Sequence, residues 1–103
     1  MRALTTEQIQ ERLIPHPSWR LEDAWLARDL QFADFEAAWR FMSHVADCAK
    51  QQDHHPNWYN VYNTVQIRLS SHDAHGITER DFLLAESIDQ YLTNAHHIDL
   101  PAS

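Results

Sequence analysis

A chain of 103 residues, 44% of them hydrophobic, has room for one compact domain, residues 1–103, and not for a second core. Fifteen acidic against eight basic residues give a formal charge of -7, with Lys50 the single lysine; no basic patch is visible, so neither a nucleic-acid nor a membrane partner is expected. The lone Cys48 excludes an intrachain disulfide and a Cys-x-x-Cys site, no apolar run approaches the roughly 20 residues of a membrane span, and no leader-like profile opens the chain, so a cytoplasmic setting is expected.

Thr5-Thr6-Glu7-Gln8 reads as a capping box, and Ile9 and Leu13 lie four apart, which predicts a helix over 6–13 ended by Pro15 and Pro17. Trp19-Arg20-Leu21, a polar Glu22-Asp23 turn and the alternation of Leu26, Arg28, Leu30 and Phe32 predict a hairpin. Asp34 is a candidate N-cap for a helix over 34–51, because Phe35, Ala38, Met42, Val45, Ala46 and Ala49 recur at helical spacing. From Trp58 to Leu69, Val61, Val65, Ile67 and Leu69 alternate with other residues, as in strands with one buried face. Gly76, the only glycine, reads as a turn, and Thr78-Glu79-Arg80-Asp81 as a second capping box. The helix that follows, to about Asn94, carries an apolar stripe of Leu84, Ala85, Ile88, Tyr91, Leu92 and Ala95.

The chemistry concentrates between His54 and His72. One unbroken strand would set these residues ~60 Å apart at about 3.3 Å per residue, so they can cooperate only if the chain folds back. Asn63 tolerates a left-handed backbone, and a two-residue turn at Tyr62-Asn63 would pair Val61 with Thr64, Tyr59 with Gln66, Asn57 with Arg68 and His55 with Ser70. His54 then faces Ser71, with His72 one residue further, and three imidazoles gather at one end of the hairpin. Their unperturbed pKa of about 6.5 suits proton transfer at neutral pH. By contrast His16, His44, His75, His96 and His97 have no evident partner and read as surface or helix-end residues.

The segment resembles the signature of pterin-4a-carbinolamine dehydratases, a family also described as dimerisation cofactors of a homeodomain transcription factor. The residues that carry the resemblance are Lys50, His54-His55-Pro56, Tyr62, His72 and Asp81, at the family's spacings. The similarity continues through Trp19, Asp34-Phe35, Phe41-Met42, Val45-Ala46, Asn60-Val61-Tyr62-Asn63 and Gly76, over roughly residues 19–92. Two positions depart from it: Lys50 stands where Glu is common, and His75 adds an imidazole to the loop after His72.

The resemblance implies an α+β two-layer sandwich, a four-stranded antiparallel sheet with three helices on one face, assembled into homodimers or homotetramers. It implies dehydration of a 4a-hydroxytetrahydropterin left by an aromatic amino acid hydroxylase, giving quinonoid dihydropterin and water, as in tetrahydrobiopterin recycling. His54, His55 and His72 then share the acid and base roles, in an order the sequence leaves open. Asp53 or Asp81 orients an imidazole or a pterin nitrogen, and Pro56, Trp58, Ser71, Asp73 and Ala74 contribute to the pterin site. No metal or cofactor is expected, although three histidines could also make a metal centre. A non-catalytic dimerisation module is the alternative. Eleven aromatic residues, four of them Trp, are more than one small core ordinarily uses, and with the short chain they favour self-association, with the last helix as candidate contact.

Overall fold

The computed structural model describes residues 2–102. The elements in chain order are α1 (Thr6–Leu13), β1 (Arg20–Glu22), β2 (Trp25–Gln31), α2 (Phe35–Gln52), β3 (Asn57–Val61), β4 (Thr64–Leu69), a short 3-10 turn (His72–Ala74), α3 (Glu79–Leu92) and β5 (Ile98–Leu100). The strands form one antiparallel sheet in the order β1-β2-β4-β3. β5 adds to it on β2, pairing Asp29 with Leu100 and Gln31 with Ile98, beyond the residues that pair with β1.

This fifth strand corrects the four-stranded expectation. Ile98-Asp99-Leu100 is too short to show periodicity, and its place is set by distant side chains: Arg28 Nε and Nη2 donate to Asp99 at 2.7 and 3.0 Å. The last helix also ends at Leu92 rather than near Asn94.

Local chemistry explains the helix starts. Thr5 and Gln8 form a reciprocal capping box on α1, Asp34 accepts from Ala37 N–H at 2.8 Å at the head of α2, and Thr78 and Asp81 form a second box on α3. Asp53 closes α2 in a left-handed conformation at φ 49°, with its N–H on the carbonyls of Ala49 and Lys50.

The core lies between the helices and one sheet face: Ala38, Phe41 and Val45 of α2 and Phe82, Leu84, Ala85 and Ile88 of α3 meet Leu26, Leu30, Val65, Ile67 and Leu69. Burial of these side chains contributes roughly 1.5–3 kcal/mol for each large one. Arg12 lies 4.7 Å over the Phe82 ring and bonds Glu79, docking α1 on α3. None of the described helices is long and apolar enough to cross a membrane.

β2 is buried on both faces, which its alternating sequence did not imply. On the helix side Arg28 donates to Asp89 at 2.6 Å, and Asp89 also accepts from Trp19 Nε1 at 2.7 Å and contacts His16 Nδ1 at 3.2 Å. His16, expected to be free, therefore sits in a polar network that ties the segment before β1 to α3. On the opposite face Asp29 accepts from Arg20 at 2.9 Å and Arg68 at 2.7 Å, and Glu22 joins both arginines.

The β3–β4 hairpin has the expected register, Val61 with Thr64 through Asn57 with Arg68. Its left-handed residue is Tyr62, at φ 50°, and not Asn63. The asparagines act through their side chains instead. Asn60 Nδ2 donates to the carbonyls of Tyr62 and Thr64 at 3.1 and 2.9 Å, and Asn63 Nδ2 donates to Phe32 O at 2.8 Å.

Burial alone would raise the Asp29 carboxyl, but hydrogen bonds and charge from Arg68 and Arg20 outweigh it and hold the group below the usual carboxylate range. A lowered native pKa contributes stability above the unfolded value of about 3.9, and that contribution is lost as pH falls through the native value. Asp29→Asn should therefore cost about 2 kcal/mol at neutral pH. Urea midpoints of variant and wild type should converge as the pH falls below about 4; a gap that persists undiminished in acid would contradict this.

Candidate active site

The site is built where three connections meet at one end of the sheet. Asp81, on the first turn of α3, is fully buried, with 0% of its surface exposed. Its Oδ1 lies 2.5 Å from His54 Nε2, while Oδ2 accepts from Ser71 Oγ at 2.8 Å and from Thr78 N–H at 2.9 Å. Ser71 spends its one proton on Asp81, so in their 2.7 Å contact the Thr78 hydroxyl donates to Ser71. The Thr78 oxygen in turn accepts from Arg80 N–H at 3.2 Å.

A carboxylate on Nε2 fixes the tautomer of a neutral imidazole: the proton sits on Nε2 and Nδ1 keeps a lone pair. His54 is 7% exposed, and its own N–H is bonded to Ala49 O at 3.0 Å. The first turn of α3 grips the end of α2 a second time, where Arg80 Nη2 donates to the carbonyl of Asp53 and reaches that of Gln52 at 3.5 Å.

Beside this cluster opens a cavity of about 310 Å³, at the low end of the roughly 300–1,000 Å³ that small-molecule sites occupy. His55 and Asn57 enter its wall from the α2–β3 connection, Ser70, Ser71, His72, His75 and Gly76 from the segment after β4, and Ala24 and Trp25 from the β1–β2 turn. Ser71 belongs to both the cavity wall and the Asp81 cluster, so the His54–Asp81 pair lies directly behind the wall. A larger concavity of about 520 Å³ lies elsewhere, between Phe32, Arg40, Tyr91 and His96. It has no comparable group of imidazoles backed by a buried carboxylate, and chemistry rather than volume selects the smaller one.

The expected site residues fall into three groups. His55, His72 and Ser71 line the cavity, and His54 with Asp81 stands behind it. Asp73 and Ala74 lie on the 3-10 turn next to His72, and Pro56 is half-buried between His55 and Asn57; none of these three is in the cavity wall. Trp58 and Asp53 sit elsewhere. Trp58 packs on the core, and Asp53 is exposed, acting through its backbone as the α2 cap.

Trp25, Asn57, Ser70 and His75 were not singled out from sequence as wall residues. Trp25 lies some thirty positions from the histidines, and no spacing links it to them. His75 did carry a signal, being an extra imidazole three residues after His72. Gly76 is not the left-handed residue of that loop, since His75 takes φ 56°. The glycine serves close approach instead, because a Cβ there would lie 3.2 Å from the Ala3 Cβ, where Leu4 N–H bonds Ile77 O at 2.8 Å.

Cys48 is no nucleophile candidate, as burial and the neighbouring Asp47 push its thiol up. Among the described residues no group of three His, Cys, Asp or Glu side chains is arranged to hold a metal ion.

The family model described as pterin 4 alpha carbinolamine dehydratase matches residues 2–91. The chain belongs to the pterin-4-alpha-carbinolamine dehydratase family. Its relatives include proteins provisionally named pterin-4-alpha-carbinolamine dehydratase from Burkholderia ambifaria, 52% identical over 84% of this chain and 86% of that one, and from Burkholderia cenocepacia, 48% identical over 89% and 92%. Among solved structures, the crystal structure of a transcriptional coactivator/pterin dehydratase from Brucella melitensis superposes with a TM-score of 0.84 at 34% identity, covering 86% of this chain and 97% of that one. The family membership and the α+β architecture thus agree with the resemblance carried by His54-His55-Pro56, His72 and Asp81.

Asp81→Asn should keep the shape of this cluster while removing the charge that orders it. We expect a loss of about 2–3 kcal/mol in denaturant unfolding, because hydrogen bonds to a charged group are replaced and one donor faces another. Long-range nitrogen–proton spectra should show His54 as the Nε2–H tautomer in wild type and a mixture in the variant; an unchanged tautomer would mean that Asp81 does not set it.

Proposed function

We propose that the protein dehydrates a 4a-hydroxytetrahydropterin to quinonoid dihydropterin and water by histidine acid–base catalysis, in the recycling of tetrahydrobiopterin after an aromatic amino acid hydroxylase. The observation that carries this reading is the cavity shared by His55 and His72 with a carboxylate-oriented His54 behind it. In the reaction the C4a–O bond breaks and the electrons of the N5–H bond form the C4a=N5 double bond. Hydroxide leaves readily only as water, so the 4a-oxygen must gain a proton and N5 must lose one. Imidazoles are suited to both transfers near neutral pH.

In its neutral form His54, with Nε2 on Asp81, keeps a lone pair on Nδ1, the electronic arrangement of a base held by its carboxylate. His55 and His72 are the exposed partners that meet the substrate. Acid and base thus come from groups of one chemical type whose surroundings differ, one buried on a carboxylate and two open to the cavity. No metal or cofactor is needed for either transfer.

Purified protein should accelerate the loss of a 4a-hydroxypterin generated in situ, and should do so equally after chelation. His54→Ala and His72→Ala should each lower the rate by roughly 10²–10⁴ where a proton transfer is lost. Their double variant should be little worse than the poorer single one, since groups acting as a unit are non-additive. His44→Ala and His96→Ala should stay near wild type. Full kcat and KM in both His54→Ala and His72→Ala would refute the assignment.

We also propose that the chain forms a homodimer or homotetramer. Phe35 and Trp39, 44% and 56% exposed, stack with ring centroids 6.1 Å apart on the outer face of α2, whereas the large apolar side chain exposed on α3 is Leu83. The α2 surface is therefore a better candidate contact than the last helix. Light scattering at micromolar concentration should give a mass of two or four chains, and Trp39→Glu should lower it; a monomeric wild type would overturn this. Were the oligomer present and the dehydration absent, the dimerisation-module reading, in keeping with the coactivator name of the Brucella protein, would take its place.

A further inference from the structure

The cavity wall carries one imidazole that the proposed chemistry does not use. Dehydration moves two protons, and His54, His55 and His72 already supply groups for them. His75 is a further imidazole on the same wall. Ring hydrogen bonds among the described residues fall on His16, His44, His54 and His97, so the His75 ring is uncommitted.

The backbone sharpens the point. His75 takes φ 56°, a left-handed conformation that costs a non-glycine residue about 1–2 kcal/mol. It is held there by its own N–H on His72 O at 3.2 Å and by the paired Ser71 and Gly76, bonded N–H to carbonyl both ways at 2.8 and 3.3 Å. A position that glycine would fill without strain instead presents an imidazole to the cavity. Such strain, kept by its surroundings, is found preferentially at functional sites.

The wall also restricts what that imidazole can meet. It contains no Asp, Glu, Lys or Arg, so it holds no permanently charged side chain to pair with a charged substituent. Its imidazole, hydroxyl and amide groups can both donate and accept, as an alcohol does. We propose that His75 is a specificity-determining residue that hydrogen-bonds a neutral, hydroxylated side chain at C6 of the pterin. This rests on the pterin reading of the site. Pterins carrying such a chain are preferred over those carrying a plain alkyl group.

The test compares wild type, His75→Gly and His75→Asn with two stable oxidised probes, 6-(dihydroxypropyl)pterin and 6-methylpterin, by tryptophan quenching and calorimetry. Wild type should bind the hydroxylated probe about three- to tenfold more tightly, the worth of one or two neutral hydrogen bonds. His75→Gly should bind the two alike with an undiminished melting temperature, and His75→Asn, which tolerates the backbone and keeps a donor and an acceptor, should retain a preference of at least about twofold. In turnover, His75→Gly should raise KM for the hydroxylated substrate by the same factor and leave kcat within about twofold. An equal preference in wild type and His75→Gly overturns the proposal. So does failure of wild type to bind either probe, or a tenfold fall in kcat with both substrates, which would make His75 a proton-transfer group. Selective binding without turnover would support the role of His75 while removing the dehydration reading.

Discussion

A carboxylate with no exposure to water has to be matched by donors, and Asp81 is matched from three directions at once. A buried unpaired carboxylate would cost several kcal/mol or shed its charge. Its partners are Thr78 N–H at the start of α3, the Ser71 hydroxyl after β4 and His54 after α2. Because one group satisfies a helix cap, a loop and an imidazole together, the helix start, the wall of the cavity and the orientation of His54 are not independent features. Displacement of any one leaves a buried donor or acceptor without its partner, which is how a short polar cluster holds three separate chain segments in register.

The same logic appears at larger scale in β2. Arg28 and Asp29 are adjacent, point to opposite faces, and are both buried. Each is neutralised on its own side: Arg28 by Asp89 and Asp99, and Asp29 by Arg20 and Arg68. These ion pairs are weak evidence for net stability, since desolvation offsets much of their attraction. Their effect is positional. They set the segment before β1 against α3, add β5 to the sheet, and carry β1 against β2, so that the β1–β2 turn brings Trp25 to the cavity.

The site combines this rigidity with exposure. His54 is buried and tied to a carboxylate, while His55, one residue on, is exposed on the cavity. The left-handed Asp53 cap stops α2 just before this pair, and Arg80 secures that end through its carbonyls. Adjacent histidines thus occupy different environments because one follows the helix into the core and the other leaves it. A proton donor and a proton acceptor of the same chemical type can be made distinct in this way.

Much of this was written locally. Capping boxes at Thr5 and Thr78, the Asp34 cap, the apolar spacing of α2 and the alternation around Val65, Ile67 and Leu69 are short-range patterns, and they located the helices and the hairpin with its register. The same register arithmetic gathered His54, His55 and His72 at one end of the hairpin, because pairing in twos from a two-residue turn needs no information beyond spacing. Other features depended on contacts between residues far apart in the chain. Ile98-Asp99-Leu100 became a strand by pairing with β2, where Arg28 holds Asp99, Trp25 joined the wall only because the sheet brings the β1–β2 turn alongside the histidines, and His75 faced the cavity because the pairing of Ser71 with Gly76 bends its backbone into a left-handed turn. Sequence by itself determined the three helices, the hairpins and the family resemblance, since these rest on periodicity and fixed offsets. Which polar groups are buried together, and therefore which imidazole is held and which is open, was decided by tertiary structure alone, because burial and charge pairing are properties of segments that meet only after the chain has folded.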